Sequence, residues 1–588
     1  MPASANNALT AWRAWARLLV LGSALLATTA VAAPDDFTKQ TLGPIDALVA
    51  SQAWRLALRA IETAQQDAVT AQWQELERRR LLVYRSLADV AGLSERVANL
   101  PAETPVEFRR YAIEQLLETS LAARDLPRAR TALEQLSTIS DGAETKPWRL
   151  SVVRAYADAN QVADALAVLT PIIDDKDTRA LHAELLVRGG REREAFELVI
   201  GLKSPDIALW RLIAAKRLGL YAADDVVREL ALLTREFKKR PSLQRIAWLA
   251  RADAAGEVGQ LARRVNSLEQ TFRLDPLPAS GLFVTTPDDL WSSYFALARH
   301  VARTDKLSLG EGAIMRADRY RKSDPYAARA LYAWNAFEAN DADVRARAHA
   351  RLVTSLSELK FDTVIRALYT QSTRVVFADL PDSVRRALLT EALTRRDLPT
   401  AARYARDLDA PPPGTTERDW NLRRARLLLY GGDAKAAIEL LDRLVTDEDF
   451  TEEFARRYLQ VVFDLQAIDK HAEALRLLDS VFTRVDNARM HRELLYWKAQ
   501  SATALKRYSD GAAWYLRSAR FDGNDGSDRW GHSARFRAAE ALAKGGMTKD
   551  AEAVYQSLLK ETPDPEQRVL IEQNIERLWL AGPTSTTP

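Results

Sequence analysis

The sequence predicts an all-α protein, an α-solenoid of stacked helical hairpins. Three observations lead there. Gly and Pro together number 46 of 588 residues, about 8%, and there is no Cys, so few positions break helices and no disulfide can staple small loops. The pattern Arg-Asp-Leu-Pro-x-Ala occurs twice, at Arg124 to Ala129 and at Arg396 to Ala401. A small or apolar residue opening an apolar helical stripe recurs through the second half at spacings of 37, 36, 37, 37 and 40 residues. At this length a single core would have stopped growing, so an elongated array or several domains is expected.

Residues 1–32 read as an export signal. Arg13 and Arg17 precede any acidic residue, the apolar run LLVLGSALLATTAVAA (18–33) follows, and Ala30-Val31-Ala32 offers a small-x-small cleavage pattern. The alternative is an uncleaved segment anchoring the chain in an inner membrane; the run is slightly short of the ~20 residues that a span needs. Either way the expected location is periplasmic, with no stable membrane span after cleavage. Removing Arg13 and Arg17 from the 83 basic residues leaves 81 against 80 acidic ones. A charge of +1 gives no electrostatic case for nucleic acid or an anionic membrane. Basic runs such as Arg78-Arg79-Arg80 and Arg235 to Arg240 adjoin acidic residues and read as solvated helix faces.

The doubled hexapeptide reads as a hairpin corner. In each copy an apolar helix-period segment ends at the Arg; Asp125 and Asp397 suit an N-cap, and Pro127 and Pro399 fall in the first turn, where a missing N–H is harmless. Taking the small residue early in each second helix as a ruler mark gives Val364, Ala401, Ala437, Ala474, Gly511 and Ala551 in the second half. The first half gives Ala129, Ala165 and Ala195, at spacings of 36 and 30.

The stretches GGDAKAAIELL (431–441), DKHAEALRLLDSVF (469–482), ALKRYSDGAAWYLRSARFD (504–522) and GGMTKDAEAVYQSLL (545–559) resemble the turn and second helix of tetratricopeptide repeats. First-helix Ala425, Ala499 and Ala539 lie twelve residues before their marks, where that family also has a small residue; Val462 departs from this. The resemblance is best over about 415–580. It implies a superhelix whose concave face, lined by first-helix side chains, binds partners. Carrying the family's groove positions over to the best-matching hairpins gives Arg426, Arg456, Phe463, Tyr496, Gln500, Phe536 and Glu540. Reversing the charge of Arg426 and Arg456 together should then abolish partner capture while leaving helicity and melting temperature unchanged.

Two stretches interrupt the array. In LDPLPASGLFVTTPDD (274–289) the prolines 276 and 278 precede Thr286-Pro287-Asp288-Asp289, the signature of a new helix cap. A hinge near 277–286 would divide an N-terminal helical-repeat segment (34–276) from a C-terminal tetratricopeptide-like segment (287–580). Asp409 to Thr416 is a longer loop, and 581–588 reads as a disordered tail.

Nothing in the sequence spells catalysis. It has no HExxH motif, His pair at ligand spacing, or nucleophile elbow. DGNDGSD (522–528) fails the register of a calcium loop, with Ser533 where a bidentate Glu belongs; no metal and no cofactor is expected. Twelve Trp follow the signal, and Trp54, Trp73, Trp210, Trp248, Trp334, Trp497 and Trp514 sit in helix-period segments, where filling space between hairpins is the expectation. The resemblance implies a non-catalytic scaffold binding envelope or secreted proteins of an assembly, secretion or polysaccharide-export system. The alternative is glycan or exopolysaccharide binding, or kinship with soluble lytic transglycosylases, whose superhelix is followed by a catalytic domain with no counterpart expected here.

Overall fold

The computed structural model describes residues 37–274 and 282–580. The expected signal peptide and tail lie outside the described residues, as does the stretch 277–281 of the expected hinge. Among the described residues there are 30 α-helices and no strand, and no helix is long and apolar enough to cross a membrane. The chain is an all-α array of antiparallel helical hairpins.

It divides into two compact units. The first carries the helices from Gly43–Ala50 to Pro205–Arg217, and the second begins at Ala222. In the first unit Leu81, Leu117, Leu133, Val152 and Leu185 belong to one core that runs through successive hairpins. Each hairpin thus completes its neighbour's apolar face, since no single hairpin can bury both of its own.

Many hairpin corners among the described residues share one build, and the hexapeptide is its fullest spelling. Arg124 and Arg396 take left-handed φ of 58° and 61°. The next N–H then reaches back five residues, Asp125 to the Ser120 carbonyl at 2.8 Å and Asp397 to that of Ala392 at 2.9 Å, closing the outgoing helix. The same aspartates cap the incoming helix, accepting from the N–H of Arg128 and of Thr400, both at 3.2 Å. Corners without the hexapeptide keep the backbone. Lys360, Gly432, Asp469, Lys506 and Gly546 all have positive φ and precede their ruler marks by four or five residues. The marks themselves are buried, with Val364, Ala401, Ala437, Ala474 and Ala551 fully inaccessible. Gly511 shows why they are small: a Cβ there would stand 2.4 Å from the Thr503 Oγ1.

In the second unit one core joins Val265, Leu268 and Phe272 of the helix Leu261–Arg273 to Leu290, Trp291 and Tyr294 of the helix Pro287–Asp305. Thr286 and Asp289 form the expected capping box at the start of the latter, with the Asp289 carboxylate 2.7 Å from the Thr286 N–H. The proline-bearing linker therefore joins two helices of one continuous core. The compact units part instead between Tyr221 and Ala222. Apolar surface shows this: Val265, Leu268 and Phe272 share one buried cluster with Ala252 before the linker and with Leu290, Trp291 and Tyr294 after it.

Candidate functional site

Nine helices at the C-terminal end carry the predicted site. They are α1 (Glu417–Tyr430), α2 (Ala434–Thr446), α3 (Glu452–Ala467), α4 (His471–Phe482), α5 (Ala488–Ala504), α6 (Tyr508–Ala519), α7 (Arg529–Lys544), α8 (Thr548–Glu561) and α9 (Pro565–Leu580). The odd-numbered helices are the first members of their hairpins. Their inner residues Ala425, Val462, Ala499 and Ala539 are fully buried against the second helices, which turns the opposite stripe of each first helix outward.

Two of the predicted residues meet in a cleft. Phe463 of α3 and Trp497 of α5 lie with ring centroids 4.7 Å apart at 41°. They floor a cavity of about 390 Å³ with Arg456 and Gln460 on one wall and Met490 and Glu493 on the other. The hairpins are held in this register from beneath, where the buried Gln466 amide of α3 donates to the Trp497 carbonyl (3.0 Å) and to Ser501 Oγ (2.7 Å). Among the described residues the side chains of Arg456 and Gln460 make no ion pair or hydrogen bond, and neither does the Trp497 indole N–H. Glu493 is occupied by Arg489 at 3.2 Å, and the Asn487 carboxamide oxygen accepts the Met490 N–H at 3.0 Å. The cleft therefore offers the free Arg456, Gln460 and Trp497 groups above an aromatic floor, with two guanidinium groups, Arg456 and Arg489, against the single carboxylate Glu493.

Arg426 is placed otherwise. Its guanidinium lies 2.8 Å from Asp464, and the Tyr430 hydroxyl donates to the same carboxylate at 2.9 Å. Burial alone would lower the Arg426 pKa, but Tyr430 and Asp464 outweigh it and hold the group above its ordinary value. Arg426 thus fastens α1 to α3, and of the two arginines only Arg456 is unengaged.

Tyr496 packs edge-on to Trp497 at 5.5 Å and reaches the next hairpin, with its ring 5.0 Å from those of Tyr515 and Trp530 and its hydroxyl 3.5 Å from Ser533 Oγ. Gln500 is exposed, with no side-chain partner among the described residues. Phe536 packs edge-on to Tyr555 at 5.5 Å and lines a second cleft of about 480 Å³ between α7, α8 and α9, with Leu558, Leu570 and Ile571. Glu540 is engaged by Arg537 at 2.7 Å. The seven residues therefore fall into a cleft pair (Arg456, Phe463), a second-cleft residue (Phe536), two in ties or packing between helices (Arg426, Tyr496), one paired within its own helix (Glu540) and one free side chain (Gln500).

Trp497, Gln460 and Met490 complete the first cleft, and sequence reasoning missed them in that role. Periodicity alone assigns Trp497 to filling space between hairpins; it packs on Phe463 and also lines the cavity. The signal that would have found it is its position four residues after Glu493 on the outward stripe of α5. The acidic loop 522–528 is spent locally. Asp525 accepts from Ser527, and Asp528 caps α7 through the Gly531 N–H (2.7 Å) and pairs with Arg492.

No protein-family model and no curated protein matches the chain. Among solved structures it is similar to the pentatricopeptide repeat protein PPR10 from maize, at 14% identity over 96% of this chain and 78% of that one, TM-score 0.30. It is similar to Naa15/Naa10 bound to HypK-THB at 12% identity over 93% and 94%, TM-score 0.30. The likeness to yeast Tom70 is 10% identity over 94% and 98%, TM-score 0.23. At TM-scores this low nothing about a site transfers between the molecules.

Proposed function

We propose that this protein is a non-catalytic periplasmic scaffold that binds partner proteins of a cell-envelope assembly, secretion or polysaccharide-export system along the outward stripe of α3 to α9. The observation that carries the reading is the first cleft, where an aromatic floor sits under the unengaged donors Arg456, Gln460 and Trp497. Such a cleft recovers free energy by burying an apolar side chain while its donors meet a partner's carbonyl or carboxylate oxygens. The export reading is supported by the basic start and apolar run of residues 1–33.

The test is photo-crosslinking in the cells that make the full chain, with a benzophenone amino acid at Gln460 or Gln500 and, as an outward control on α8, at Lys549. Protein adducts at Gln460 and Gln500 that are absent at Lys549 are expected. Adducts to glycan alone, or equal protein adducts at all three positions, would overturn the scaffold reading. Residues 1–40 fused to a reporter active only after export should give activity, and an inactive fusion rejects the periplasmic location.

A further inference from the structure

We infer that the groove takes one extended, acidic-apolar peptide segment at two points. A large apolar or aromatic side chain with an acidic neighbour enters the α3/α5 cleft, and a second apolar side chain enters the α7/α9 cleft. This rests on the scaffold reading and names the chemistry of its partner.

The two clefts open on the same set of first helices, and they differ in charge. In the first, Arg456 and Arg489 face the single carboxylate Glu493, so an occupant that brings an acid restores balance. In the second, Leu558, Leu570 and Ile571 lie with Phe536, and Leu570 stays 47% exposed although it belongs to an apolar wall. Its charged rim is already even: Arg529 has no partner among the described residues, Asp564 lines the same cleft, and Arg537 is held by Glu540. This cleft asks for an apolar side chain and no acid.

Between them the surface is continuous, because Tyr496 of α5 reaches Trp530 and Ser533 of α7. Two steps between neighbouring first helices at about 8–10 Å each separate the clefts by about 16–20 Å. An extended chain covers that in about five or six residues. The charge balance selects an acidic peptide over a neutral glycan. An extended peptide presents acceptors, its carbonyls and an acidic side chain, to Arg456, Gln460 and Trp497. A neutral glycan would leave the excess positive charge of Arg456 and Arg489 over Glu493 uncompensated.

The experiment is selection of a random-peptide display library on the full chain, followed by affinity measurement of the enriched peptides made synthetically. The expected peptides carry two apolar positions about five or six residues apart with Asp or Glu beside one of them, and bind at least about thirtyfold tighter than either half alone. Arg456→Glu should weaken them at least about tenfold and remove the acidic preference. Leu570→Asp should remove the second apolar preference and leave the first. Both side chains are exposed, and an unchanged circular-dichroism spectrum confirms that each variant is folded. Single-anchor peptides, indifference to spacing, enrichment of basic residues, or an empty selection would each overturn the two-point assignment. If protein adducts at Gln460 persist in any of those cases, the scaffold reading stands and only this inference falls; if they are also lost, both fall.

Discussion

Glu269 and Arg329 meet through two hydrogen bonds of 2.7 Å, and each residue is only 1% exposed. The Tyr294 hydroxyl donates to the same carboxylate at 2.6 Å. Burial would lower the Arg329 pKa, but the Glu269 charge and hydrogen bonds outweigh it and hold the guanidinium charged; burial and Glu269 push Tyr294 far up, so it stays a neutral donor. The pair stitches the helix Leu261–Arg273, before the linker, to Pro325–Glu338 beyond it.

Removing one partner strands the other charge in the core. Glu269→Ala is expected to cost about 3–5 kcal/mol of unfolding free energy, whereas Glu269→Met with Arg329→Met and Tyr294→Phe, which leaves no polar orphan, should recover most of it. Chemical denaturation of the full chain reads both. Equal losses in the single and triple variants would mean that packing alone, without charge, holds this junction.

Arg426 and Arg456 should separate into a stability residue and a recognition residue. Arg426→Glu places a carboxylate against Asp464 and should lower stability by about 1 kcal/mol, with a lower thermal midpoint. Arg456→Glu breaks no ion pair or hydrogen bond among the described residues and should leave the midpoint unchanged while weakening partner capture. A fall in the midpoint for Arg456→Glu would place that side chain in the fold.

The left-handed corner gives paired predictions of opposite sign. Arg396 holds φ 61° with a side chain that disfavours it, so Arg396→Gly should stabilise the array by about 0.5–1 kcal/mol. Gly432, at φ 88° in the next corner, should lose about 1 kcal/mol as Gly432→Ala. If both changes act in the same direction, corner strain is not what sets these residues.

How far the molecule could be read in advance follows from where its information is stored. Asp125, Asp397 and the ruler marks were legible because a cap and a close helix contact each demand a residue type at a fixed spacing. The core across the linker was not, since the sequence of prolines 276 and 278 reads as a stop while part of the cluster around Phe272 comes from residues 290–294 and beyond. Site positions were legible as a stripe but not as roles. Whether an arginine is free depends on a neighbour in another hairpin, and Asp464 engages Arg426 while no counterpart reaches Arg456. Trp497 was read as core because periodicity alone does not tell a ring that fills an interface from one that also floors a cleft.

His349 supplies a pH test of the second unit's core. Its Nδ1 lies 2.8 Å from the Tyr369 hydroxyl, with the Phe337 ring 5.5 Å away. Burial lowers its pKa to about 4, with the Arg345 charge pushing the same way and a hydrogen bond to Ala336 opposing. In the unfolded chain the group titrates near its ordinary 6.5, so between those two values the unfolded state binds the extra proton. Its stabilising contribution is therefore complete above pH 6.5 and is lost as pH falls from 6.5 to about 4. The loss amounts to about 3 kcal/mol at the acid end. His349→Gln keeps a hydrogen-bonding side chain beside Tyr369 but has nothing to titrate. The difference in unfolding free energy between the two proteins, followed from pH 7.5 to 4, should shrink toward acid by that amount. A difference that stays constant with pH would show that His349 is protonated as readily in the fold as outside it.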